Sequence, residues 1–394
     1  MLFSNKINPD SPKVKINWKE LDILRGWAAI LMVVNHVGVK TLDPSFRQGL
    51  PGFLLFIGSF APVLYFFITG VGYGIQSTQK KKVTNWSSVA NKIAILFLAD
   101  LLMKWSGGTL LGLDFLGFIG LSSLLLELIR KTKYPLVYCL TGFILVFLLR
   151  YIIGPNIREL GLDHGLITWI IGTSGISGIS YPLSPWLAYP LFGYIVGYMA
   201  MNYREFINIR RLKVISGMLI AAAFPALAGI IMLQAGLSFH RWGTVALAFY
   251  TVSFAVILIC LAVSLVIGRN TTPKIWHDIL SLRGISALAV VPVHYFLIYL
   301  VVINGVTEVN LVSFSILTLV ILILSFYLAR SVEQLSQKLR EMEQKKLIWF
   351  TLSGIFLLTA SLTLVWGISN STLAMLPRTV GQIVLCQLLV VRWY

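Results

Sequence analysis

Runs of roughly twenty mostly apolar residues recur along almost the whole chain, each long enough to cross a bilayer as a helix. They fall near 21–38, 53–76, 88–104, 109–129, 134–153, 182–201, 213–236, 243–267, 284–303, 309–330 and 347–367, with a weaker twelfth at 373–391 that Pro377, Arg378 and Gln382 interrupt. Helices satisfy their own backbone hydrogen bonds in hydrocarbon, so the pattern predicts an all-α, polytopic bundle of about eleven transmembrane helices. Only 12% of the residues are charged, against about 25% in soluble proteins, and no stretch is polar and long enough for a separate soluble domain. The expected division is a short N-terminal segment (1–20), a transmembrane core (21–304) and C-terminal helices (305–394). In the last part Val332, Leu335, Leu339 and Met342 extend a helical pattern through 331–346.

The net charge of +17 raises nucleic acid as a partner, but the basic residues are scattered over short loops rather than gathered in a stripe. Their distribution reads as topology. Alternate loops and tails carry 21 and 7 lysines and arginines, and the excess marks the cytoplasmic side, which holds the N-terminus. Cys139, Cys260 and Cys386 lie in apolar runs without metal-ligand spacing, so no metal is expected. The first apolar segment resembles a signal peptide in position, yet it carries Asp22, Arg25 and His36 and reads as a retained helix.

Ionisable groups inside spans are costly and mark function unless they reach an interface. Arg25 and His36 are eleven residues apart, close to three helical turns, and therefore share one face with His36 about 16 Å deeper. An arginine at the mouth suits phosphate, through paired charge-assisted bonds. A histidine at depth suits proton transfer during acyl transfer. Arg283 and His294 repeat the interval on a later span that also runs outward, which predicts the two histidines at one depth in one cavity. Arg25 as a snorkelling charge paired with Asp22, and His36 as a helix-end polar residue, remain the plainer alternative. Lys92 is a further ionisable residue inside a span. Asp100 and Asp114 sit near the outer ends of neighbouring spans, where they serve an acceptor hydroxyl or the structure itself.

Four segments carry a resemblance. They are Leu21-Asp22-Ile-Leu-Arg25-Gly26 through His36, Phe66-Phe67-Ile-Thr69-Gly70, Ser184-Pro185-Trp186 through Gly193 and Gly197, and Arg283-Gly284-Ile-Ser286 to His294. In this order they resemble the transmembrane acyltransferase superfamily, which includes the acyltransferase-3 and heparan-α-glucosaminide N-acetyltransferase-like families. The resemblance implies an acyl-CoA donor, acetyl-CoA above all, entering from the cytoplasm, and a carbohydrate acceptor whose hydroxyl or amine is acylated. It implies donor binding by Arg25, with Lys92 and Arg283 as further candidates, and catalysis by His36, with His294 beside it. Asp100, Asp114 and Trp186 are the acceptor-binding candidates, and a bacterial inner membrane is the expected location. Two departures stand out: Lys92 replaces the arginine pair usual in acyltransferase-3 proteins, and Val291-Pro292-Val293 precedes His294 where a tyrosine is usual. A secondary transporter, relaying protons through Asp100, Asp114, His36 and His294, is the rival reading.

Overall fold

The computed structural model describes residues 18–79, 86–104, 113–162, 166–171, 180–237, 245–268, 281, 285, 287–339 and 380–385. Its long helices are α1 (Lys19–Thr41), α2 (Gly49–Gly58), α3 (Ala61–Thr78), α4 (Trp86–Lys104), α5 (Phe115–Lys131) and α6 (Pro135–Leu148). They continue with α7 (Ala188–Asn202), α8 (Arg211–Gln234), α9 (Leu247–Ile267), α10 (Ala287–Ile303) and α11 (Leu311–Leu339). No strand occurs among the described residues. Each of the first ten expected spans coincides with helix; 347–367 lies outside the described residues, and of 373–391 only 380–385 are described, as helix. Six helical stretches, one of them α2 and α3 taken together, are long and apolar enough to cross a membrane. The chain is an integral, multi-pass membrane protein.

Burial separates the helices into two roles. The α2–α3 stretch is mostly enclosed and α1 half enclosed, whereas α6, α8 and α11 keep most of their apolar side chains on the outside. Leu227 on α8 and Tyr327 on α11 are among these outward groups. An apolar exterior of this kind is matched by lipid. At the centre, α1 touches α2, α3, α9, α10 and α11. Residues 305–339 thus belong to the same bundle as the core, with Phe314, Ile321 and Ala329 of α11 in the principal apolar cluster.

The closest helix pair is α3 against α7. Gly70 and Gly74 on one helix and Gly193 and Gly197 on the other are each one turn apart, and a Cβ at any of them meets the partner's backbone. At Gly70 it would stand 2.8 Å from the Pro190 Cα, and at Gly197 2.9 Å from the Val71 Cα. Membrane helices gain contact this way because small residues let their backbones meet.

Contacts between helix ends fix which ends share a side. Glu20 at the start of α1 pairs with Arg211 at the start of α8 at 3.0 Å, and Arg211 also donates to the Leu265 carbonyl near the end of α9. At the opposite level the end of α1 bridges to the segment before α11: Val309 N–H donates to Thr41 O at 2.8 Å and Asp43 N–H to Val309 O at 3.2 Å. Beyond α1, the Ser45 hydroxyl and amide bind the Asp43 carboxylate and hold it below the usual carboxylate range.

Pro62 marks a break between two helices. Gly58 ends α2, Ser59 and Phe60 turn, and Pro62 sits in the first turn of α3, where its missing N–H costs nothing. Pro225 and Pro292 lie within continuous helices.

Candidate functional site

The α2–α3 break opens a cavity of about 40 Å³, room for a water or two, beside α1. Met32, Asn35 and His36 face it from α1, Ser59 and Pro62 from the break, Asp114 and Phe115 from the start of α5, Tyr181, and Val291 and Tyr295 from α10. Gly58 lets α2 approach α1 here, since a Cβ would stand 2.7 Å from that of Asn35. The Asn35 amide in turn donates to Leu55 O at 2.8 Å, fastening the two helices.

The two histidines of distant spans meet as expected, but only His36 lines the cavity; His294 is packed behind it. His36 Nδ1 lies 2.8 Å from His294 Nε2, with the rings 6° from parallel and their centroids 5.1 Å apart. His294 is wholly buried, and its Nδ1 lies 2.7 Å from the Val290 carbonyl. A carbonyl oxygen only accepts, so His294 Nδ1 carries a proton and, in the neutral ring, Nε2 is left with a lone pair. His36 Nδ1 then donates to that lone pair. The remaining nitrogen, His36 Nε2, is an acceptor, and the Tyr295 hydroxyl donates to it at 3.1 Å. One backbone carbonyl thereby orients the whole chain of groups and leaves the basic nitrogen of His36 facing Tyr295, itself a cavity residue.

The carboxylates divide. Asp100, buried near the end of α4, accepts from the Asp114 and Leu116 amides at 2.9 and 3.1 Å, tying α4 to the start of α5. It does not line the cavity. Asp114 caps α5 through Phe115 N–H at 2.9 Å and does line it. A carboxylate at a helix N-terminus satisfies amides that have no partner within the helix and complements the dipole.

Arg25 is half-exposed on α1 and pairs with Asp22 at 3.2 Å. Lys92 is exposed on α4, away from the cavity, and Arg283 lies outside the described residues. Trp186 is enclosed by Phe66, Tyr181 and Tyr189, at ring separations of 4.9 to 5.8 Å, so of this group Tyr181 meets the cavity and Trp186 stands behind it. Asn35, Ser59, Tyr181 and Tyr295 were not singled out from sequence. Tyr295 had a signal, adjacency to His294; the others are ordinary polar residues made special by where two helices cross. Among the described residues, no group of three or more His, Cys, Asp or Glu side chains is placed to hold a metal.

The profile of the family described as heparan-alpha-glucosaminide N-acetyltransferase, catalytic, matches residues 18–214, half of the chain. The chain belongs to this family of membrane acetyltransferases. The match begins just before α1 and ends in α8, so it takes in Arg25, His36, the α2–α3 break, Asp114 and Tyr181, while the α10 residues His294 and Tyr295 lie beyond it. No curated protein and no solved structure matches the chain.

Proposed function

We propose that the protein moves an acetyl group from cytoplasmic acetyl-CoA to a sugar hydroxyl or amine, with His36 as general base. The observation that carries this reading is the lone pair of His36 Nε2, fixed by the His294 and Val290 contacts on a ring that lines the cavity. An acceptor O–H or N–H that takes the place of Tyr295 gives its proton to Nε2 as its oxygen or nitrogen bonds the thioester carbon. The C–S bond then breaks, and the proton on Nε2 passes to the departing thiolate. His294 Nε2 accepts from the imidazolium throughout, as the orienting carboxylate does in a catalytic triad. Displaced from His36, the Tyr295 hydroxyl is a donor for the developing oxyanion.

Asp114, Ser59, Asn35 and Tyr181 supply the polar wall against which an acceptor is held. Arg25, at the end where α1 begins, is the residue for the donor's phosphates.

Purified protein given radiolabelled acetyl-CoA and a terminal α-glucosaminide should transfer label, and His36→Ala should lose about 10²- to 10⁴-fold in rate while still binding CoA. Full transfer by a folded His36→Ala protein removes the proposed base.

A further inference from the structure

Between α7 and α8 the chain turns back through eight residues, six of which form a short helix, Arg204–Ile209. At about 100° per residue, Tyr203, Phe206 and Ile209 share one side of it, while Arg204 and Asn208 lie within about 40° of each other on the opposite side. The apolar side is the uncovered one. Tyr203 and Phe206 are about half-exposed, Ile209 is 75% exposed, and exposed Leu212 continues the patch into α8. A helix packed on a soluble core turns such a side inward. Here it faces outward at the level where α8 begins, as in a helix that lies in the surface of a bilayer.

The cations around this patch are not equivalent. Arg211 is spent, since it pairs with Glu20 and donates to the Leu265 carbonyl. Arg204, Arg210 and Lys213 are exposed and form no ion pair among the described residues, and Glu205 is the one carboxylate in the connection. The Arg204 guanidinium lies 5.9 Å from the ring of Trp18, just before α1, and the Arg210 guanidinium 5.6 Å from the Phe206 ring. An aromatic face holds a guanidinium in place and leaves its N–H groups open to an acceptor. Hydrocarbon accepts Ile209 but not Arg210, and water the reverse, so the segment belongs at the depth of the lipid headgroups.

We propose that this connection binds the headgroup of an anionic phospholipid from the leaflet on the side where α1 begins. Arg204, Arg210 and Lys213 surround the phosphate, and the acyl chains lie against Phe206, Ile209 and Leu212. Net charge selects the lipid: a zwitterionic headgroup brings its own cation to a patch that already has a surplus, whereas phosphatidylglycerol brings none. Each basic side chain beside an anionic headgroup is worth roughly fivefold in affinity. The site stands apart from the acetyl-transfer reading and does not depend on it.

Native mass spectrometry of the delipidated full chain in detergent, titrated with phosphatidylglycerol or phosphatidylcholine, measures the preference. The unaltered protein should bind its first phosphatidylglycerol about tenfold or more tightly than phosphatidylcholine. Arg204→Gln with Arg210→Gln should abolish that preference, at a cost of roughly thirtyfold in phosphatidylglycerol affinity. Lys131→Gln with Lys133→Gln removes two exposed cations from a different loop and should leave it intact. Arg204→Lys with Arg210→Lys keeps the charge and should keep most of the preference. Inorganic phosphate or acetyl-CoA in large excess should not displace the lipid, because neither has chains for the apolar side. Equal binding of the two lipids, or equal loss in both glutamine variants, overturns the site and leaves only diffuse topology charge. Loss in the lysine variant traces the effect to packing on Trp18 and Phe206 and overturns the charge argument. Displacement by inorganic phosphate or acetyl-CoA overturns the lipid as occupant.

Discussion

A histidine in hydrocarbon is a poor base unless something decides which nitrogen carries the proton. Here the decision is made by the Val290 carbonyl, two hydrogen bonds away from the cavity. On the proposed mechanism His294 is a positioning residue, and its removal has a predictable signature. His294→Phe keeps the ring volume but leaves the His36 N–H unpaired, a cost of about 1–3 kcal/mol, and frees the imidazole to take the wrong tautomer. Transfer should slow by about 10²-fold or more at unchanged KM for the donor. Equal rates in the two proteins would reduce the histidine pair to passive packing. Tyr295→Phe should cost less, because His36 keeps its orientation and loses only one donor. The eleven-residue interval from Arg25 to His36 and from Arg283 to His294 places the two histidines at one depth, and so as partners, from sequence alone. Nothing in one sequence tells that Asp100 is spent on the Asp114 and Leu116 amides, because a capping carboxylate and a substrate-binding one have the same composition and differ only in what lies opposite.

Elements are legible where a single physical rule applies. Hydropathy alone locates the first ten helical stretches, since backbone polar groups in lipid leave the chain little alternative to helix. The break between α2 and α3 is subtler: 53–76 reads as one apolar run, and only Gly58 and Pro62 hint that it is two helices sharing a corner. The α3–α7 seam follows from its four glycines, and it distinguishes them from Gly72 on the same helix. Gly70→Ala drives a methyl into the Pro190 backbone and should lower stability by about 1–3 kcal/mol, seen as a lower thermal midpoint in detergent. Gly72→Ala, facing open space, should leave that midpoint unchanged or slightly raised, as alanine favours helix. The reverse order would mean that the two faces of α3 have been exchanged.

For the molecule as a whole, alternating end contacts and alternating loop charge are independent observations with the same sense. Glu20, Arg211 and the end of α9 gather on one side, the side to which the loop-charge count assigns its 21 basic residues. We propose that it is cytoplasmic. Reporters fused near Lys81 and Lys338 should then be cytoplasmic and those near Gly107 and Asn304 external; cytoplasmic signals at both Gly107 and Asn304 would reverse the donor's direction of entry. The backbone bridge between Leu42 and Val309 bears on the rival transporter reading. It rivets the end of α1 to the segment joining α10 and α11, about two turns along α1 from where the histidines of α1 and α10 touch. Sliding α1 past α10 by a single residue's rise, about 1.5 Å, would shear both fastenings together. A machine that carries cargo by rocking one half against the other needs a slip plane, and this pair of helices is built without one. On the proposed acetyl-CoA reading the stroke belongs to the substrate: a flexible thioester arm travels to a stationary base.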